Sequence, residues 1–596
     1  MRKILALKNL PPLILLLIAG LYFFLLPRSI QGGDTAELVT AARGLFVAHP
    51  PGYPLWIFLQ SAWLYLIAPT NAFFCASVLN VFYALAVLAL VAWTLKEKPV
   101  MAFLLILQLA FTSAFIESAL LPDVFSFHAL FIAGICSLYL SGYAKRFFFV
   151  PFFIALGMAH HHTIIFLAPL LAGLFYEALN SKEELKQLAL GLVSGFFLVV
   201  IFYLSLLGFN TESYFSWGNI HSVKDLLNHF LRTDYGTLSF APASARPQDH
   251  FAALFFFFKT TALEWGMVVL LALTFVKKKN LQLKSLSLLL SLLASLVFFL
   301  MVNFQVSGMG KEILIRFHVM PAVLLAFTTA HFLKEAEFNK SIEKLVGGAA
   351  LLVVLVLGFL NVTRLQSLRK DEVIQHYAED VLRMAELSKA KLILADNDNS
   401  YFAIKYLQYE KQNTDAAVVS TSLLFHPWMN KKIEETIPGF VLNNKETIWR
   451  EKKLHLEEDL ISPNSRNGIL WTNKDSPAGN FSVTQLPVGK LISQSVPLLQ
   501  TREHLLRLER PEVFENIQSY SKKFLFSQYA WPYLQKGFEF FQKGDKEKAV
   551  AQWQMALKIV PWCAPALINL CEVDKTKADC SPPHMEEVKQ SAEDFF

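Results

Sequence analysis

Two carboxylates stand three residues apart near the start of the chain, at Asp34 and Glu37. On a helix this spacing places both side chains on one face, where one carboxylate could take a proton from a hydroxyl group while the other orients it. The same Asp-x-x-Glu pattern is also typical of a helix start, with Asp34 as the cap and Glu37 at the third position. Spacing alone favours the helix start.

A stiff motif follows at 49–54, where the chain reads His-Pro-Pro-Gly-Tyr-Pro. Three prolines and a glycine restrict the backbone there, so His49 and Tyr53 would be held in fixed positions. We take both as candidate substrate-binding residues. In the alternative interpretation, the stiff loop only sets the angle of the helix that follows.

Two further groups could contact an anion. Arg316 falls inside an apolar stretch at 312–334, where a charge is costly enough to suggest a function, unless the side chain extends to the interface. Three consecutive histidines at 160–162 interrupt another apolar stretch. Neighbouring residues on a helix point in different directions, so only His161 or His162 would hydrogen-bond a ligand; polar packing and a metal cluster are the alternatives.

Polar residues in two other segments have structural explanations as well. Asp123 opens an apolar helix and is either a substrate-binding residue or the helix cap. A polar loop could line a ligand site, or it could form a membrane-surface helix at about 223–232 with aromatic residues in the interface. Its candidate binding residues are Trp217, His221, Arg232 and Tyr235.

The composition indicates what kind of protein must position these residues. Of 596 residues, 54% are hydrophobic and only 17% charged, with a mean hydropathy of +0.40. Soluble domains carry about 25% charge and disordered chains have low hydrophobicity, so both classes are excluded. The net charge of +6 is too small and scattered to argue for nucleic acid.

Apolar stretches of spanning length predict a helical membrane bundle. They total 11 spans when 147–179 is counted as two short helices, and the others lie at 10–26, 72–95, 100–119, 124–142, 187–208, 252–276, 283–303, 312–334 and 344–361. The run at 54–68 is too short to span and is predicted to lie at the interface. Lys and Arg concentrate in the loops that this count places inside, so the chain after about 362 would lie outside the cytoplasm.

The remainder of the chain, 362–596, is charged and mixed, as in a soluble domain. A strand–helix–strand pattern predicts a small α/β domain at 362–525, and Asp396 and Asp398 after its first strand are best explained by an Asx-capped turn. The region 526–596 contains the spacings of one tetratricopeptide repeat, which would bind peptides or cap the α/β domain. Pairing of Cys571 with Cys580 is possible outside the cytoplasm.

Together these motifs resemble a known family. Gly33-Asp34-Thr35-Ala36-Glu37, followed by His49-Pro50-Pro51-Gly52-Tyr53-Pro54-Leu55, resembles the signature of a polytopic family of membrane protein O-mannosyltransferases, formerly an uncharacterised membrane domain family. Weaker resemblances lie at 123–128, 157–163, 217–219, 232–236 and 316–321. This chain has Asp123 and Phe125 where the family often has Glu and Tyr, and His-His where it often has Asn-His.

The resemblance implies a GT-C-like glycosyltransferase domain at 1–361, of about 11 transmembrane helices, with a non-cytoplasmic C-terminal part. Such enzymes pass a sugar, here favouring mannose, from a polyprenyl-phosphate carrier to Ser/Thr hydroxyls of exported proteins. Asp34 matches the family's catalytic base, and Glu37 would orient it or bind sugar hydroxyls. With a single base, displacement at the anomeric carbon inverts its configuration. Of the substrate-binding candidates, Arg316 would hold the phosphate.

The expected partners are the polyprenyl-linked sugar, the membrane lipid and an exported protein that the tetratricopeptide helices would recruit. The sequence does not indicate a metal or other cofactor. The membrane would be the bacterial inner membrane, with the C-terminal part in the periplasm, or the endoplasmic reticulum membrane in a eukaryote, with that part in the lumen. A lipid or cell-envelope glycan is the alternative acceptor.

Two other functional classes fit the sequence less well. A transporter or flippase would carry charges at the bilayer midplane and inverted repeats, whereas this chain keeps its acids in the loops predicted to lie outside. A non-catalytic membrane scaffold would leave Asp34 and Arg316 unexplained.

Overall fold

The computed structural model describes residues 10–67, 69–237, 248–274, 283–302, 305–335, 340–395, 397–411, 416–472, 482–486, 488–493 and 519–592. The chain divides into two compact units. The first contains Met1–Arg28, Ala41–Thr211 and Ser216–Lys370, and the second contains Ser29–Thr40, Glu212–Phe215 and Asp371–Phe596. The segment that carries Asp34 therefore groups with the C-terminal part, which the sequence did not predict.

Helices account for nearly all of the first unit, and α2 begins in the second unit and ends in the first. In chain order they are α1 Leu10–Leu25, α2 Thr35–Gly44, α3 Pro54–Ile67, α4 Ala72–Thr94, α5 Pro99–Ala110, α6 Ser113–Leu120, α7 Phe125–Leu140, α8 Arg146–Gly157, α9 Ala168–Ala178, α10 Lys182–Ser205, α11 Val223–Phe230, α12 Gln248–Thr274, α13 Leu283–Leu300, α14 Gly308–Phe317, α15 Val319–Glu335 and α16 Lys340–Gln366. Every apolar stretch predicted to span therefore carries helix, and a 3₁₀ turn at His162–Leu167 precedes α9.

Two of these stretches are not single straight helices. The stretch at 100–119 bends by 71° between α5 and α6, where Thr112 takes an extended conformation. The stretch at 312–334 divides into α14 and α15. Pro321 has no N–H to donate to the Phe317 carbonyl four residues earlier, and α14 ends at Phe317.

Membrane-spanning length is met by five helical segments among the described residues, or six if the bent pair counts as one span. They are Ala72–Thr94, Lys182–Gly208, Leu283–Leu300, Gly308–Lys334 and Leu351–Ser388. Several other apolar helices, such as α1 and α7, have 16 residues. The figure of 11 spans and the interfacial position of α3 remain predictions.

Glycines bring α8 and α10 together. A Cβ on Gly191 would overlap the Phe148 carbonyl oxygen, and one on Gly195 would overlap that of Phe152. The two glycines are four residues apart, which is the small-xxx-small pattern that lets membrane helices approach closely. Backbone proximity rather than side-chain interdigitation therefore sets this helix pair.

A five-stranded sheet forms the core of the second unit, in the order β2-β1-β3-β5-β4. The strands are β1 Leu392–Ala395, β2 Ala417–Ser420, β3 Ile469–Trp471, β4 Ser482–Leu486 and β5 Gly489–Ser493. β1 pairs in parallel with β2 and β3, whereas β5 is antiparallel to β3 and β4. All residues of β1 and β2 are buried, as expected of parallel strands.

Helices complete the second unit. They are α17 Val373–Ser388, α18 Asp398–Lys411, α19 Pro427–Thr436, α20 Lys445–Glu451, α21 Tyr520–Ser527, α22 Trp531–Gln542, α23 Lys546–Ile559, α24 Ala564–Val573 and α25 Pro582–Ala592. The predicted strand–helix–strand is confirmed by β1, α18 and β2. A helix–turn–helix occupies the predicted repeat in α22 and α23, although its assignment as a tetratricopeptide repeat and the boundary at 525 remain predictions.

Side-chain hydrogen bonds connect the C-terminal helices to α17. The Tyr377 hydroxyl donates to Gln528 Oε1 at 2.6 Å, and the Tyr529 hydroxyl donates to Asp380 Oδ2 at 2.6 Å. A disulfide joins Cys571 and Cys580. The helical region thus packs as one body with the α/β core in the second unit.

The glycine contact between α8 and α10 is directly testable. We expect Gly191→Ala to lower the thermal unfolding midpoint of the purified protein in detergent, because the added methyl group must separate the two helices. Gly134→Ala in α7 is the matched control, since a Cβ there meets nothing within 4 Å and alanine is favoured over glycine in helices by about 1 kcal/mol. Equal midpoints for the two variants would contradict the proposed packing.

Candidate active site

Asp34 immediately precedes α2 in the second unit. Its carbonyl oxygen accepts the Leu38 N–H at 2.9 Å, as at the start of a helix, and both Asp34 and Glu37 are half-buried. Before it, the Gly33 N–H donates to Asn399 Oδ1 at 2.6 Å, and Thr35 is fully buried. The carboxylate pair therefore lies at the start of a helix, with Asp34 directly before α2 and Glu37 in its first turn.

Glu37 interacts electrostatically with a buried lysine of α18. The Lys405 side chain is 8% exposed, and burial lowers its pKa to about 7, while Glu37 acts in the opposite direction. Lys405 Nζ donates to the Tyr214 carbonyl oxygen at 2.8 Å and lies 4.4 Å from the centre of the Tyr214 ring. Glu37 thus has a cationic neighbour that the sequence did not indicate.

A second buried lysine holds the same segment. Lys432 Nζ in α19 donates to the Ser213 carbonyl oxygen at 2.8 Å. Burial first, and then the charge of Lys405, lower its pKa to about 7. The Tyr214 hydroxyl also donates to the Val418 carbonyl oxygen of β2. Ser213 and Tyr214 are therefore fixed by hydrogen bonds to α18, α19 and β2.

In the first unit, the His-Pro-Pro-Gly-Tyr-Pro motif forms a compact loop with the Pro50–Pro51 peptide bond in cis. The Tyr53 hydroxyl lies 3.1 Å from His49 Nε2, and the Tyr53 ring stacks on His161 with centroids 5.9 Å apart. Gly52 has φ +89°, and a Cβ on it would lie 2.8 Å from His229 Nε2. His49, Tyr53 and His161 are thus brought together, and their role in binding remains a prediction.

The polar loop of the first unit joins this cluster. The Trp217 ring lies 6.1 Å from His49 and stacks on Tyr235 at 6.0 Å, and Trp217 Nε1 donates to Asp234 Oδ2 at 3.1 Å. The Arg232 guanidinium lies 5.3 Å from the centre of the Tyr235 ring. Aromatic faces, an imidazole, a carboxylate and a guanidinium are collected here, which suits recognition of a sugar or a phosphate.

The three consecutive histidines take different directions, as expected. His160 Nε2 donates to the Val124 carbonyl oxygen at 3.0 Å. His161 Nδ1 lies 2.7 Å from Thr163 Oγ1, which is 2.9 Å from His128 Nε2. The His162 ring packs on Phe230 at 4.6 Å. Only His161 belongs to a hydrogen-bonded chain within the cluster.

A small cavity lies next to this chain of hydrogen bonds. It is lined by Phe125, His128, Thr163, Phe166, Ser295, Phe298, Phe317, Met320 and Pro321. The wall is mostly aromatic and apolar, with one imidazole and two hydroxyl groups. None of the site residues predicted from the sequence lines this cavity.

The remaining candidates differ in their surroundings. Asp123 is buried and its Oδ1 accepts the Phe125 N–H at 2.9 Å, so it has a local role at the start of α7, although the cap residue itself is Val124. Arg316 is half-buried in the last turn of α14. His221 is exposed and bonds to Asn219. Among the described residues, no group of three His, Cys, Asp or Glu side chains is arranged to hold a metal ion.

A turn follows β1. Asn397 Oδ1 accepts the Ser400 N–H at 3.1 Å, while Asp398 begins α18 and Asp396 lies outside the described residues. Asn397 thus makes an Asx-type hydrogen bond here, and the structural explanation for Asp396 and Asp398 remains a prediction.

Sequence reasoning missed several residues that make the contacts described above. They are His128, Thr163, His229 and Asp234 in the first unit and Asn399, Lys405 and Lys432 in the second. His128, Thr163 and Asp234 belonged to stretches already noted for the family resemblance, so they could have been found. The two lysines lie in ordinary amphipathic patterns that gave no sign of burial.

Part of this chain matches a known protein family. Residues 34–185 match the family described as the N-terminal domain of protein O-mannosyl-transferase TMEM260. This range holds the Asp-x-x-Glu pair, the His-Pro loop and the three histidines. Residues 34–185 are therefore similar to this family's N-terminal domain. The family resemblance predicted from the sequence is confirmed over this range.

Two curated relatives agree with this assignment. The chain is 24% identical over 453 residues to Protein O-mannosyl-transferase TMEM260 of Mus musculus, covering 71% of this chain and 64% of that protein. It is 23% identical over 346 residues to Protein O-mannosyl-transferase tmem260 of Dictyostelium discoideum, covering 50% and 41%. The chain thus spans less than two thirds of the length of either relative.

Solved structures support the fold. ArnT from Cupriavidus metallidurans bound to undecaprenyl phosphate aligns with a TM-score of 0.54 at 10% identity, covering 81% of this chain and 99% of ArnT. The apo state of the same protein aligns with a TM-score of 0.53. The predicted GT-C-like helical membrane fold is confirmed by this likeness, which at such low identity concerns the fold alone.

The buried lysine beside Glu37 makes stability depend on pH. Between pH 7 and about 10 the unfolded chain holds a proton that folded Lys405 has lost, so the free energy of unfolding should rise with pH in this window. We expect Lys405→Met to reduce that rise by up to about 1.4 kcal/mol per pH unit. Chemical unfolding of the full chain in detergent from pH 7 to 9.5 measures it.

Lys543→Met is the matched control, because Lys543 is exposed and its removal should leave the pH dependence unchanged. Identical pH slopes for wild type and Lys405→Met would show that Lys405 titrates normally in the folded protein.

Proposed function

We propose that this chain is an inverting glycosyltransferase that moves mannose from a polyprenyl-phosphate carrier to Ser/Thr hydroxyls of exported proteins. The match of residues 34–185 to a protein O-mannosyl-transferase domain carries the proposal, because the matched range includes Asp34, which lies directly before α2. The neighbour ArnT bound to undecaprenyl phosphate supports a polyprenyl-linked donor for this fold.

In the proposed reaction Asp34 is the general base. It takes the proton from the acceptor hydroxyl as that oxygen bonds to the anomeric carbon, and the bond between that carbon and the phosphate oxygen breaks. Glu37 orients Asp34 or binds sugar hydroxyls. The polyprenyl phosphate leaves with the bonding electrons, and a single displacement inverts the configuration.

The first unit supplies candidate groups for the two substrates. The Arg316 guanidinium is the proposed partner of the phosphate, whose negative charge increases as the bond breaks. His49, Tyr53, His161, Trp217, Arg232 and Tyr235 form the cluster proposed to bind the sugar and the acceptor. Asp123 and His162 remain further candidates: Asp123 Oδ1 accepts the Phe125 N–H, and His162 packs on Phe230.

The C-terminal unit is proposed to lie outside the cytoplasm, where it would recruit acceptor proteins through its helical repeat. Its disulfide supports this side of the membrane, since such bonds persist in oxidising compartments. The periplasm in a bacterium, or the lumen of the endoplasmic reticulum in a eukaryote, meets that condition.

Two variants of Asp34 separate catalysis from helix capping. Asn and Ser both cap helices well, but neither can act as the base. We therefore expect Asp34→Asn and Asp34→Ser to reduce transfer from polyprenyl-phosphate mannose to a Ser/Thr peptide by at least about a hundredfold. Glu37→Gln should have a smaller effect.

Asp225→Asn is the control, because Asp225 completes the capping box at the start of α11, in a predicted outer loop. Mass spectrometry of exported proteins, with and without the active chain, reports on the acceptor. Wild-type transfer by both Asp34 variants would refute the base assignment, whereas mannose found only on lipid or glycan would favour the alternative acceptor.

The disulfide provides a test of location. We expect Cys571 and Cys580 in intact cells to resist a thiol-alkylating reagent until a reductant is added, and to appear as one cross-linked peptide by mass spectrometry. Cys563 is free and buried, so it serves as an internal reference after denaturation. Alkylation of both cysteines without reduction would indicate a cytosolic domain and overturn this topology.

A further inference from the structure

The segment that carries the proposed base has little secondary structure of its own before α2. Residues 29–34 lie between α1 and α2, and within the second unit they contact residues more than 300 positions later in the chain. The Ser29 hydroxyl donates to the Asp371 carbonyl oxygen, and Gln31 Nε2 donates to the same oxygen at 3.1 Å. The segment is therefore fixed by distant parts of the chain.

A buried ion pair strengthens this attachment. Lys522 of α21 is 5% exposed, and its Nζ lies 2.7 Å from Asp371 Oδ2 and 2.5 Å from Gln31 Oε1. A buried ammonium group is tolerated when its hydrogen-bonding capacity is met by charged and polar acceptors. Gln31 is thus held at both ends of its amide, by Lys522 and by Asp371.

The closest anchor to Asp34 is Asn399 of α18, which is 5% exposed. Its Oδ1 accepts the Gly33 N–H at 2.6 Å. A Cβ on Gly32 would lie 2.7 Å from the same oxygen and 3.3 Å from Ile374 Cδ1, so only glycine allows this approach. Gly33 itself has φ +73°, which favours glycine.

We infer that Asn399 is a positioning residue for the proposed base, fixing the backbone one residue before Asp34, with Lys522 as a second anchor through Gln31. This inference rests on the proposed function. It gives the C-terminal unit a part in the reaction, because α18 and α21 then determine where the carboxylate lies. As a positioning residue, Asn399 acts on the reaction through the loop that precedes Asp34. Its removal should therefore slow turnover without weakening donor binding.

The test compares Asn399→Leu with Asn399→Asp in the full-length chain. Leucine is similar in size but cannot accept the Gly33 N–H, whereas aspartate can. We expect Asn399→Leu to lower kcat by about ten- to a hundredfold with little change in the KM for polyprenyl-phosphate mannose, and Asn399→Asp to restore most of it. Both variants should be compared per folded molecule.

Asn464→Leu is the matched control. Asn464 is also buried in the second unit, and its amide bonds Val441 through both of its ends. Its loss should lower the unfolding midpoint but leave kcat per folded molecule unchanged. A fall in kcat for Asn464→Leu equal to that for Asn399→Leu would overturn the inference, since any buried asparagine would then act alike.

A double variant provides a second test that does not depend on the leucine variant folding. Gly32→Ala should lower kcat because its methyl group displaces the loop from Asn399. If that is the cause, Gly32→Ala combined with Asn399→Ala should be no slower than Asn399→Ala alone. If the two single substitutions lower kcat by factors that multiply in the double variant, the two residues act independently, which would contradict the inference.

The outcomes also distinguish this inference from the function on which it rests. Wild-type kcat in Asn399→Leu together with an inactive Asp34→Asn would overturn the positioning role and leave the base assignment intact. An active Asp34→Asn would refute the base and the positioning role together.

Discussion

The contact between the Gly32–Gly33 backbone and Asn399 is the constraint on which the proposed site depends. A main-chain N–H at 2.6 Å from a buried amide oxygen tolerates little displacement, and the missing Cβ at residue 32 makes the approach possible. The next residue is Asp34, so this contact also fixes the position of the start of α2. A carboxylate that must meet an incoming hydroxyl gains from such fixation, because misplacement by about 1 Å can slow a reaction a hundredfold.

The second unit uses buried cations in a consistent way. Lys405, Lys432 and Lys522 all lie in its interior, and each donates to a segment that is remote in sequence. Lys405 and Lys432 bind carbonyl oxygens, and burial lowers their pKa to about 7. Lys522 has a carboxylate partner, Asp371. Burial of these lysine side chains costs some stability, whereas their hydrogen bonds fix two short segments, 29–40 and 212–215.

The first unit gathers its polar groups differently. There aromatic rings pack around the stiff His-Pro loop. Trp217 contacts His49, His49 contacts Tyr53, and Tyr53 stacks on His161. Stacked rings provide flat surfaces for sugars, while the imidazoles and the Arg232 guanidinium can hydrogen-bond hydroxyl or phosphate oxygens. This arrangement agrees with a family whose relatives are named protein O-mannosyl-transferases.

Much of this protein is determined by local sequence. Long apolar stretches form helices in a membrane, because a helix satisfies its backbone hydrogen bonds within one segment. The strand–helix–strand after residue 391 follows from its short buried runs. The Asp-x-x-Glu pair and the His-Pro loop were recognisable because their spacing and rigidity are local properties. Pro321 could have predicted the break after α14 for the same reason.

What only the tertiary structure decided is which distant residues meet. Asn399 and Lys522 lie 366 and 491 positions from their partners in the Asp34 segment, and no local pattern distinguishes a buried lysine such as Lys405 from a solvated one on an amphipathic helix. Likewise, the assignment of residues 29–40 and 212–215 to the C-terminal unit arises from packing. Periodicity depends on neighbours along the chain, whereas burial and hydrogen-bond partners depend on the folded chain as a whole.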